Sequence, residues 1–438
     1  MKALDLITKK RDGQSLSVAE INFLVQEYNS GVIPDYQMAA LLMAIYFQGL
    51  SNKETSALTA ALAMSGENID FSSLGKIVVD KHSSGGVGDK VTLILTPLVA
   101  AAGVPVAKVS GRGLGFSGGT IDKLESIPGF SAALTTKRFM KLVSENNLAI
   151  MVQTENLTPA EGKLYALRDV TGTVENISLI AASIMSKKIA GGAGAILLDV
   201  KTGRGSFMQS RDEAFHLAEI MVRIANDMQR RVVSVVTDMS QPLGYAVGNS
   251  LEVKEALAVL RGEGPPDVKQ ICLVLGGYML ALTGRVRNPD EGQEELARFL
   301  ENGAGLEKFR QMVISQGGRA ECLEDPSLLP QAAYHAEVFA SQGGYLREID
   351  ARKVGNVALL LGTGRTYKGE EIDPAAGVLL NYKVGDRIAQ GDLLATIYSN
   401  REGACNSVCR DLNNAFSIGE ERVEPASLIH GVVPPFPS

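Results

Sequence analysis

The chain has 438 residues, 45% of them apolar, with 46 glycines and a net charge of −6 at neutral pH. That length corresponds to roughly three domain-sized units with substantial cores, and the composition fits an α/β protein rich in tight turns. An acidic balance with no long basic tract excludes nucleic acid as the expected partner, and no uninterrupted apolar stretch is long enough to span a bilayer. An anionic ligand must therefore be drawn in by a local basic pocket, for which Lys81, Lys108 and Arg112 are the candidates. The four cysteines, Cys272, Cys322, Cys405 and Cys409, have no metal-ligand spacing and read as ordinary thiols. Sparse cysteine and the lack of a signal-peptide pattern give the expectation of a cytoplasmic protein.

The first 65 residues read as helices. Ser17-Val18-Ala19-Glu20 and Ser51-Asn52-Lys53-Glu54 both have capping-box form, and Pro34-Asp35 opens a helix that runs through Phe47. From about Gly75 the period changes: short Val/Ile/Leu runs at 77–79, 104–109, 148–152, 195–200 and 232–237 alternate with longer helical patterns. That alternation predicts a mostly parallel sheet with crossover helices. A helical insertion lies between the third and fourth runs. Thr158-Pro159-Ala160-Glu161 supplies a cap, an N1 proline and a capping-box glutamate, and a second helix over 177–190 ends at Gly191-Gly192. Further helices are expected over 212–228, 251–260, 268–283 and 294–300.

After Gly344 the pattern turns to short strands. Residues 377–388 and 391–397 resemble half of a biotinyl/lipoyl-type barrel, but the modifiable lysine flanked by methionines is missing, so the hairpin reads as scaffold. The fold expected is α/β and two-lobed. A discontinuous all-helical lobe (1–66 and 158–192) faces a larger α/β lobe (74–157 and 193–335) with a mostly parallel central sheet. A C-terminal α+β subdomain (345–438) with a barrel-sandwich-like hairpin completes the chain.

Lys81-His82-Ser83-Ser84-Gly85-Gly86-Val87-Gly88-Asp89 follows the first apolar run and precedes a helix beginning at Asp89. Glycines let backbone N–H groups turn inward, hydroxyls donate, Lys neutralises charge, and the helix N-terminus adds a favourable dipole end. Together they make an oxyanion cradle suited to phosphate, with a plain strand-to-helix turn as the alternative. A second segment, Ser110 to Glu125, brings glycines, hydroxyls and basic side chains to the end of the next strand. Ligands gather at that edge of an open α/β sheet. The Walker phosphate loop does not apply, because Gly86-Val87-Gly88-Asp89-Lys90 lacks its spacing.

These two segments, with Tyr165-Ala166-Leu167-Arg168-Asp169-Val170-Thr171, Ser183-Ile184-Met185-Ser186-Lys187-Lys188 and Thr237-Asp238-Met239-Ser240-Gln241-Pro242-Leu243-Gly244, give the chain its resemblance to a known family. It resembles the pyrimidine-nucleoside and thymidine phosphorylases, from its first residues to about Asn400. Lys108 favours the bacterial branch that accepts both uridine and thymidine. The resemblance implies reversible phosphorolysis of uridine, thymidine or deoxyuridine to free base and pentose 1-phosphate, with inorganic phosphate as co-substrate and no required cofactor. It also implies a homodimer formed through the N-terminal helices, for which Met1 to Ile7 and Met38 to Met43 supply apolar faces.

For phosphate, the resemblance implies Lys81, Ser83, Thr92, Lys108, Ser110 and Thr120. Thr92 has the ordinary helix-face hydroxyl as its alternative. For the base it implies Arg168, Ser183 and Lys187, with Tyr165 shaping the pocket. Ser183 and Lys187 are four apart, so a helix puts them on one face, whereas Lys188 reads as a solvated surface charge. Arg168 is open to a second reading as a C-terminal capping cation paired with Asp169. His82, between cradle and base, is placed to donate to the pyrimidine 2-carbonyl. Phosphate donors on one lobe and base donors on the other require the lobes to close, with Gly66, Gly191-Gly192 and Gly118-Gly119 as candidate hinges.

The chain also departs from these relatives. Phe116-Ser117 stands where the family has His-Thr, and Ser178 stands where it has proline. Relatives bind a monovalent cation near Gly88, Leu243, Ala246 and Glu255 with a threonine at position 90. Here Lys90 is expected to put an ammonium in the ion's place, paired with Glu255. Two other functions remain open at this point: phosphoribosyl transfer on the related anthranilate phosphoribosyltransferase fold, and a nucleoside-binding relative that has lost turnover.

Overall fold

A computed structural model of the protein describes residues 1–113, 115–367 and 369–434. The N-terminal segment forms α1 (Ala3–Arg11), α2 (Val18–Asn29), α3 (Asp35–Gln48) and α4 (Asn52–Ala63). Both expected capping boxes on α2 and α4 are present: Ser17 and Ser51 accept from the N–H three residues on, and Glu20 and Glu54 reach back to the cap. Glu54 does more than cap, because Oε1 also accepts from Lys10 Nζ and the Leu16 N–H, each at 2.9 Å, tying α1 to α4.

The α/β portion opens with β1 (Val79–Ser83), α5 (Val91–Ala101), β2 (Val106–Ser110), α6 (Thr120–Glu125), α7 (Thr136–Asn146) and β3 (Leu148–Val152). The chain then leaves the sheet for α8 (Pro159–Thr171) and α9 (Ile177–Ala190) before returning in β4 (Ala195–Thr202), α10 (Arg211–Asp227) and β5 (Arg231–Asp238). Leu164, Leu179 and Ala182 of this excursion share one apolar core with α1 to α4. Amphipathic segments without a sheet to cover bury their stripes against each other. A short strand β6 (Ala246–Val247) and five helices follow: α11 (Asn249–Leu260), α12 (Pro266–Leu282), α13 (Pro289–Glu301), α14 (Ala304–Ser315) and α15 (Glu321–Glu324). Their apolar side chains cover one face of the sheet.

The remainder comprises β7 (Tyr334–Phe339), β8 (Gly344–Ile349), α16 (Ala351–Leu361), β9 (Gly377–Leu380), β10 (Arg387–Ile388), β11 (Leu393–Ser399), α17 (Ala404–Asn413), β12 (Phe416–Gly419) and β13 (Ile429–Val433). The central sheet has the order β13-β5-β4-β1-β2-β3, with β5 through β3 parallel and β13 antiparallel at the edge. Strand pairing moves two of the expected limits. Residues 429–433 leave the C-terminal subdomain expected over 345–438 to cap the edge strand β5, and 334–339 pairs with β11 in a four-stranded sheet that also takes in β6 of the α/β portion. An exposed β5 edge needs a partner, and the tail supplies one.

A third shift matters for the site. The first strand was expected over 77–79 but runs from Val79 through Ser83, so Lys81, His82 and Ser83 stand on the strand itself rather than in the loop. Their backbones are held in register with Leu197, Leu198 and Asp199 of β4. Of the candidate hinges, Gly66 and Gly191-Gly192 lie where the helical segments meet the sheet. A Cβ on Gly192 (φ +81°) would stand 2.3 Å from the Ile69 carbonyl oxygen, so only glycine fits. Gly118-Gly119 instead lies inside the loop between β2 and α6.

Candidate active site

The C-terminal ends of β1 and β2 face α8 and α9 across a cleft of about 1880 Å³. Ser84, Gly111, Arg112 and Gly113 line one side, and Tyr165, Arg168, Ser183 and Lys187 line the other. The glycine-rich loops and the Arg168–Ser183–Lys187 wall therefore open on one space.

On the α8–α9 wall, the Asn176 side chain caps α9 by accepting from the Leu179 N–H at 3.1 Å. Ser178 falls in that first turn, where a proline costs the helix no hydrogen bond. One turn apart on α9, Ser183 and Lys187 both reach Glu161. Ser183 Oγ donates to Oε1 at 2.5 Å, Lys187 Nζ lies 3.0 Å from Oε2, and Lys187 also donates to Ser183 Oγ at 3.2 Å. Glu161 was expected to close a capping box with Thr158. It does not: Thr158 makes no cap bond, and its hydroxyl accepts from Gln153 Nε2 at 2.9 Å. A buried carboxylate gains more from an ammonium and a hydroxyl than from one amide N–H.

Arg168 is buried and donates to three carbonyls, those of Thr173 at 3.2 Å, Val174 at 2.6 Å and Leu179 at 3.3 Å. None of these carbonyls belongs to α8, and no ion pair with Asp169 is found among the described residues, so Arg168 does not cap that helix; it ties the turn after α8 to the first turn of α9 while also lining the cleft. Burial lowers its pKa from the ordinary arginine value, with Glu161 acting the other way. The half-exposed Tyr165 ring lies 5.5 Å from Lys187 Nζ and 5.9 Å from the Arg168 guanidinium, within cation–π range of both.

On the strand side, Lys81 is fully buried, with Nζ 2.9 Å from Asp199 Oδ2 and 3.8 Å from Asp89 Oδ2. Burial opposes its charge, yet Asp199 and then Asp89 hold its pKa above the ordinary lysine value. Lys201, which the sequence did not single out, shares Asp199 Oδ2 at 2.8 Å, and Thr237 donates to Oδ1 at 2.7 Å. Ser83 Oγ donates to Asp89 and accepts from the Gly85 N–H. Against the pull of burial, Lys81, Lys201 and Lys123, with the Ser83 hydroxyl, keep Asp89 well below the usual carboxylate range.

Lys108 donates to the Lys81 carbonyl at 2.7 Å and stands 3.9 Å from Asp80. Burial, then Lys188, pushes it well below the ordinary lysine value. Thr92 is buried in the first turn of α5, Ser110 ends β2, and Thr120 opens α6. The loop between Ser110 and Thr120 is drawn tight by Asp122, which accepts from the Gly113 N–H at 2.8 Å. A Cβ on Gly119 would fall 2.3 Å from Gly113 N. Arg112 pairs with Glu125.

His82 Nε2 is sealed from solvent and has no hydrogen-bond partner among the described residues. Burial, then Lys188, Lys108, Lys81 and Lys187, holds its pKa well below the ordinary histidine value. Lys188, expected as a surface charge, is instead buried. Its ammonium donates to Asp80 Oδ2 and to the Val109 carbonyl, each at 2.7 Å. Consecutive residues on a helix point about 100° apart, so a site lysine and an anchoring lysine can be neighbours.

Lys90 is also fully buried. Its ammonium donates to the carbonyls of Leu243 at 2.8 Å and Ala246 at 2.9 Å and to the Glu255 carboxylate, while its N–H takes the Gly88 carbonyl. Glu255 overcomes burial and keeps its pKa above the ordinary value.

A third side of the cleft was missed. Arg352 and Arg365 come from the C-terminal subdomain. Arg365 donates to Asp122 at 2.8 Å, and its carbonyl accepts from the Gly115 N–H. Arg352 donates to the Ser206 carbonyl and lies 4.5 Å above Phe116, whose ring packs 5.5 Å from Phe207. Phe116 is thus held between an arginine and another ring. Among the described residues, no group of three or more His, Cys, Asp or Glu side chains is arranged to hold a metal ion, and no helix is long and apolar enough to cross a membrane.

The arrangement has relatives. Family models for the helical bundle domain and the a/b domain of a glycosyl transferase family match residues 4–66 and 75–306, which sets the class. A model of the pyrimidine nucleoside phosphorylase C-terminal domain matches residues 345–419. Pyrimidine-nucleoside phosphorylase of Bacillus subtilis (strain 168) is 52% identical over 433 residues, covering 99% of this chain and 100% of its own. The enzyme of that name from Geobacillus stearothermophilus is 52% identical over 430 residues (98% and 99%), and that of Staphylococcus haemolyticus (strain JCSC1435) is 50% identical over 433 (99% and 100%). Among solved structures, anthranilate phosphoribosyltransferase (TrpD) from Thermus thermophilus shares the fold, with a TM-score of 0.59 at 18% identity over 72% of this chain and 99% of that one. The chain belongs to the pyrimidine-nucleoside phosphorylase family of glycosyl transferases.

Asp199 faces two fully buried ammoniums. Removing the charge of a buried partner costs about 3–5 kcal/mol. Asp199→Asn is expected to lower the unfolding free energy by that amount, read as a lower urea midpoint at constant m-value; a loss under about 0.5 kcal/mol would contradict the pairing.

Proposed function

We propose that this protein catalyses reversible phosphorolysis of pyrimidine nucleosides, uridine, thymidine and deoxyuridine, to the free base and α-D-(deoxy)ribose 1-phosphate in nucleoside salvage. The observation that carries this reading is one cleft lined both by Ser84, Gly111 and Gly113, which follow β1 and β2, and by Arg168, Ser183 and Lys187; the residues proposed for phosphate are not among its described lining residues. Relatives of that name, about half identical over nearly the whole chain, support it.

In this scheme Lys81, Ser83, Thr92, Lys108, Ser110 and Thr120 hold phosphate through charge-assisted and hydroxyl hydrogen bonds. One phosphate oxygen attacks C1′ as the C1′–N1 bond breaks, and the bonding pair leaves with the pyrimidine, whose carbonyl oxygens take up the charge. Arg168, Ser183 and Lys187 donate to that base edge, where they act most as charge develops. Glu161 keeps Lys187 and Ser183 in place for this. His82, held neutral, donates an N–H to the 2-carbonyl. The scheme calls for no redox cofactor or catalytic metal, and we assign the reaction to the cytoplasm on the sequence's sparse cysteines. Uridine or thymidine incubated with phosphate is expected to lose the nucleoside ultraviolet spectrum in strict proportion to phosphate consumed. Turnover that instead needs Mg²⁺ and phosphoribosyl pyrophosphate, or binding without turnover, would overturn the assignment.

Lys90 supports a second point. Its ammonium is met by Leu243, Ala246 and Glu255, the positions expected to hold a monovalent cation. Activity should therefore change less than about twofold when potassium is replaced by tetramethylammonium; a sharp fall would refute the substitution.

We further propose a homodimer through the N-terminal helices. Along α3 and the turn before it, Val32, Tyr36, Met43 and Phe47 are exposed, Phe47 at 77%, an apolar stripe of the kind that marks an interface. Met38, expected on that face, is instead in the core. Sedimentation equilibrium should give twice the chain mass, and Phe47→Glu should shift it toward the monomer. A wild-type monomer at micromolar concentration would contradict the pairing.

A further inference from the structure

Lys188 has no part in the scheme above, yet it is buried where the two sides of the cleft meet. It follows Lys187 on α9, the helix that carries the proposed base donors. Its two acceptors are Asp80 Oδ2 and the Val109 carbonyl, both at 2.7 Å. Asp80 immediately precedes Lys81, His82 and Ser83 on β1, and Val109 immediately precedes Ser110 on β2. One ammonium therefore grips both strands at the step before each proposed phosphate segment.

We propose that Lys188 is a positioning residue for the reaction: it fixes the base-side helix against both phosphate-side strands and sets its side chain among the groups that act on His82. The proposal rests on the phosphorolysis reading. Its geometric part follows from the bond lengths. A charge-assisted hydrogen bond weakens steeply when stretched, so α9 cannot slide by an ångström without losing both contacts. Reacting groups need placement on that scale.

The electrostatic part follows from the balance of charges. Asp80 meets Lys188 at 2.7 Å and stands 3.9 Å from Lys108, whose own charge is opposed by burial and by Lys188. The charged groups around His82 are Lys188 and Lys187 from α9, Lys108 from β2, and Lys81 on its own strand, with Asp80 next to it. After burial, Lys188 is the largest influence holding the imidazole neutral. A neutral ring donates one N–H and carries no charge that would trap a phosphate dianion in the wrong place.

Lys188→Met is expected to lower kcat/KM at least 30-fold, mainly through kcat, and to move the acid limb of the pH profile to higher pH, because a positive neighbour of His82 is gone. Lys188→Arg should restore the pH limb while recovering only part of kcat. Asp80→Asn removes a negative neighbour, so its limb should move the opposite way, to lower pH. A merely structural role would move both limbs together or neither, and that result overturns the proposal, as does Lys188→Met with wild-type kcat. Should Lys188→Met fail to fold, the ring resonances of His82 in the wild-type protein, assigned by their loss in His82→Asn, decide the electrostatic part. Titration at the ordinary histidine value would overturn it. Wild-type protein with no phosphate-dependent turnover would sink the phosphorolysis reading instead, and leaves the His82 titration as the test of the charge.

Discussion

Buried ammonium groups, each answered by a carboxylate from a different part of the chain, are the constraint on which this structure depends. Lys81 faces Asp199, Lys90 faces Glu255, Lys123 faces Glu252 and Lys188 faces Asp80, all but shut off from water. Each ion costs several kcal/mol to bury, and that cost is offset only when the partner arrives in good geometry. Each lysine is therefore stable in place only with its partner's element packed against it, and in the folded chain the cations are already aimed. Charges fixed in advance do not have to reorganise when charge moves during a reaction.

The same rule explains what could be read in the amino-acid order. Features set by neighbours in sequence were legible: the strand–helix alternation, the Ser17–Glu20 and Ser51–Glu54 caps, and the spacing that places Ser183 one turn from Lys187. The family resemblance supplied an expectation that local pattern could not, namely which of many hydroxyls and cations belong together, and Tyr165, Arg168, Ser183 and Lys187 of that set line one cleft. Features set by distant partners were not legible. Nothing around Glu161 announces Ser183 and Lys187, and its position three residues after Thr158 pointed to a cap. Lys188 carried the signature of a surface residue at a helix end. Its burial depends on Asp80, 108 positions away in the sequence. Residues 429–433 gave no sign that the β5 edge needed them.

The C-terminal subdomain is the other part that sequence pattern undervalued. Its hairpin reads as scaffold in the sequence, but Arg365 and Arg352 brace the loop between β2 and α6 from outside, one through Asp122 of α6 and one over the Phe116 ring. Phe116 and Lys90, two positions read from the sequence as departing from the family the chain resembles, are both satisfied where they stand. One lies under Arg352 with its ring tilted against Phe207, and the other is bonded on three sides. Neither leaves a hole or an unpaired charge.

A crystal structure with inorganic phosphate and an uncleavable 2′-deoxyuridine analogue bound together tests the central claim most directly. The pyrimidine carbonyls should fall within hydrogen-bond reach of Arg168 and Lys187, with the phosphate against Lys81, Ser83 and Ser110 and C1′ between them. A base seated away from α9, or a phosphate outside the ends of β1 and β2, would contradict it.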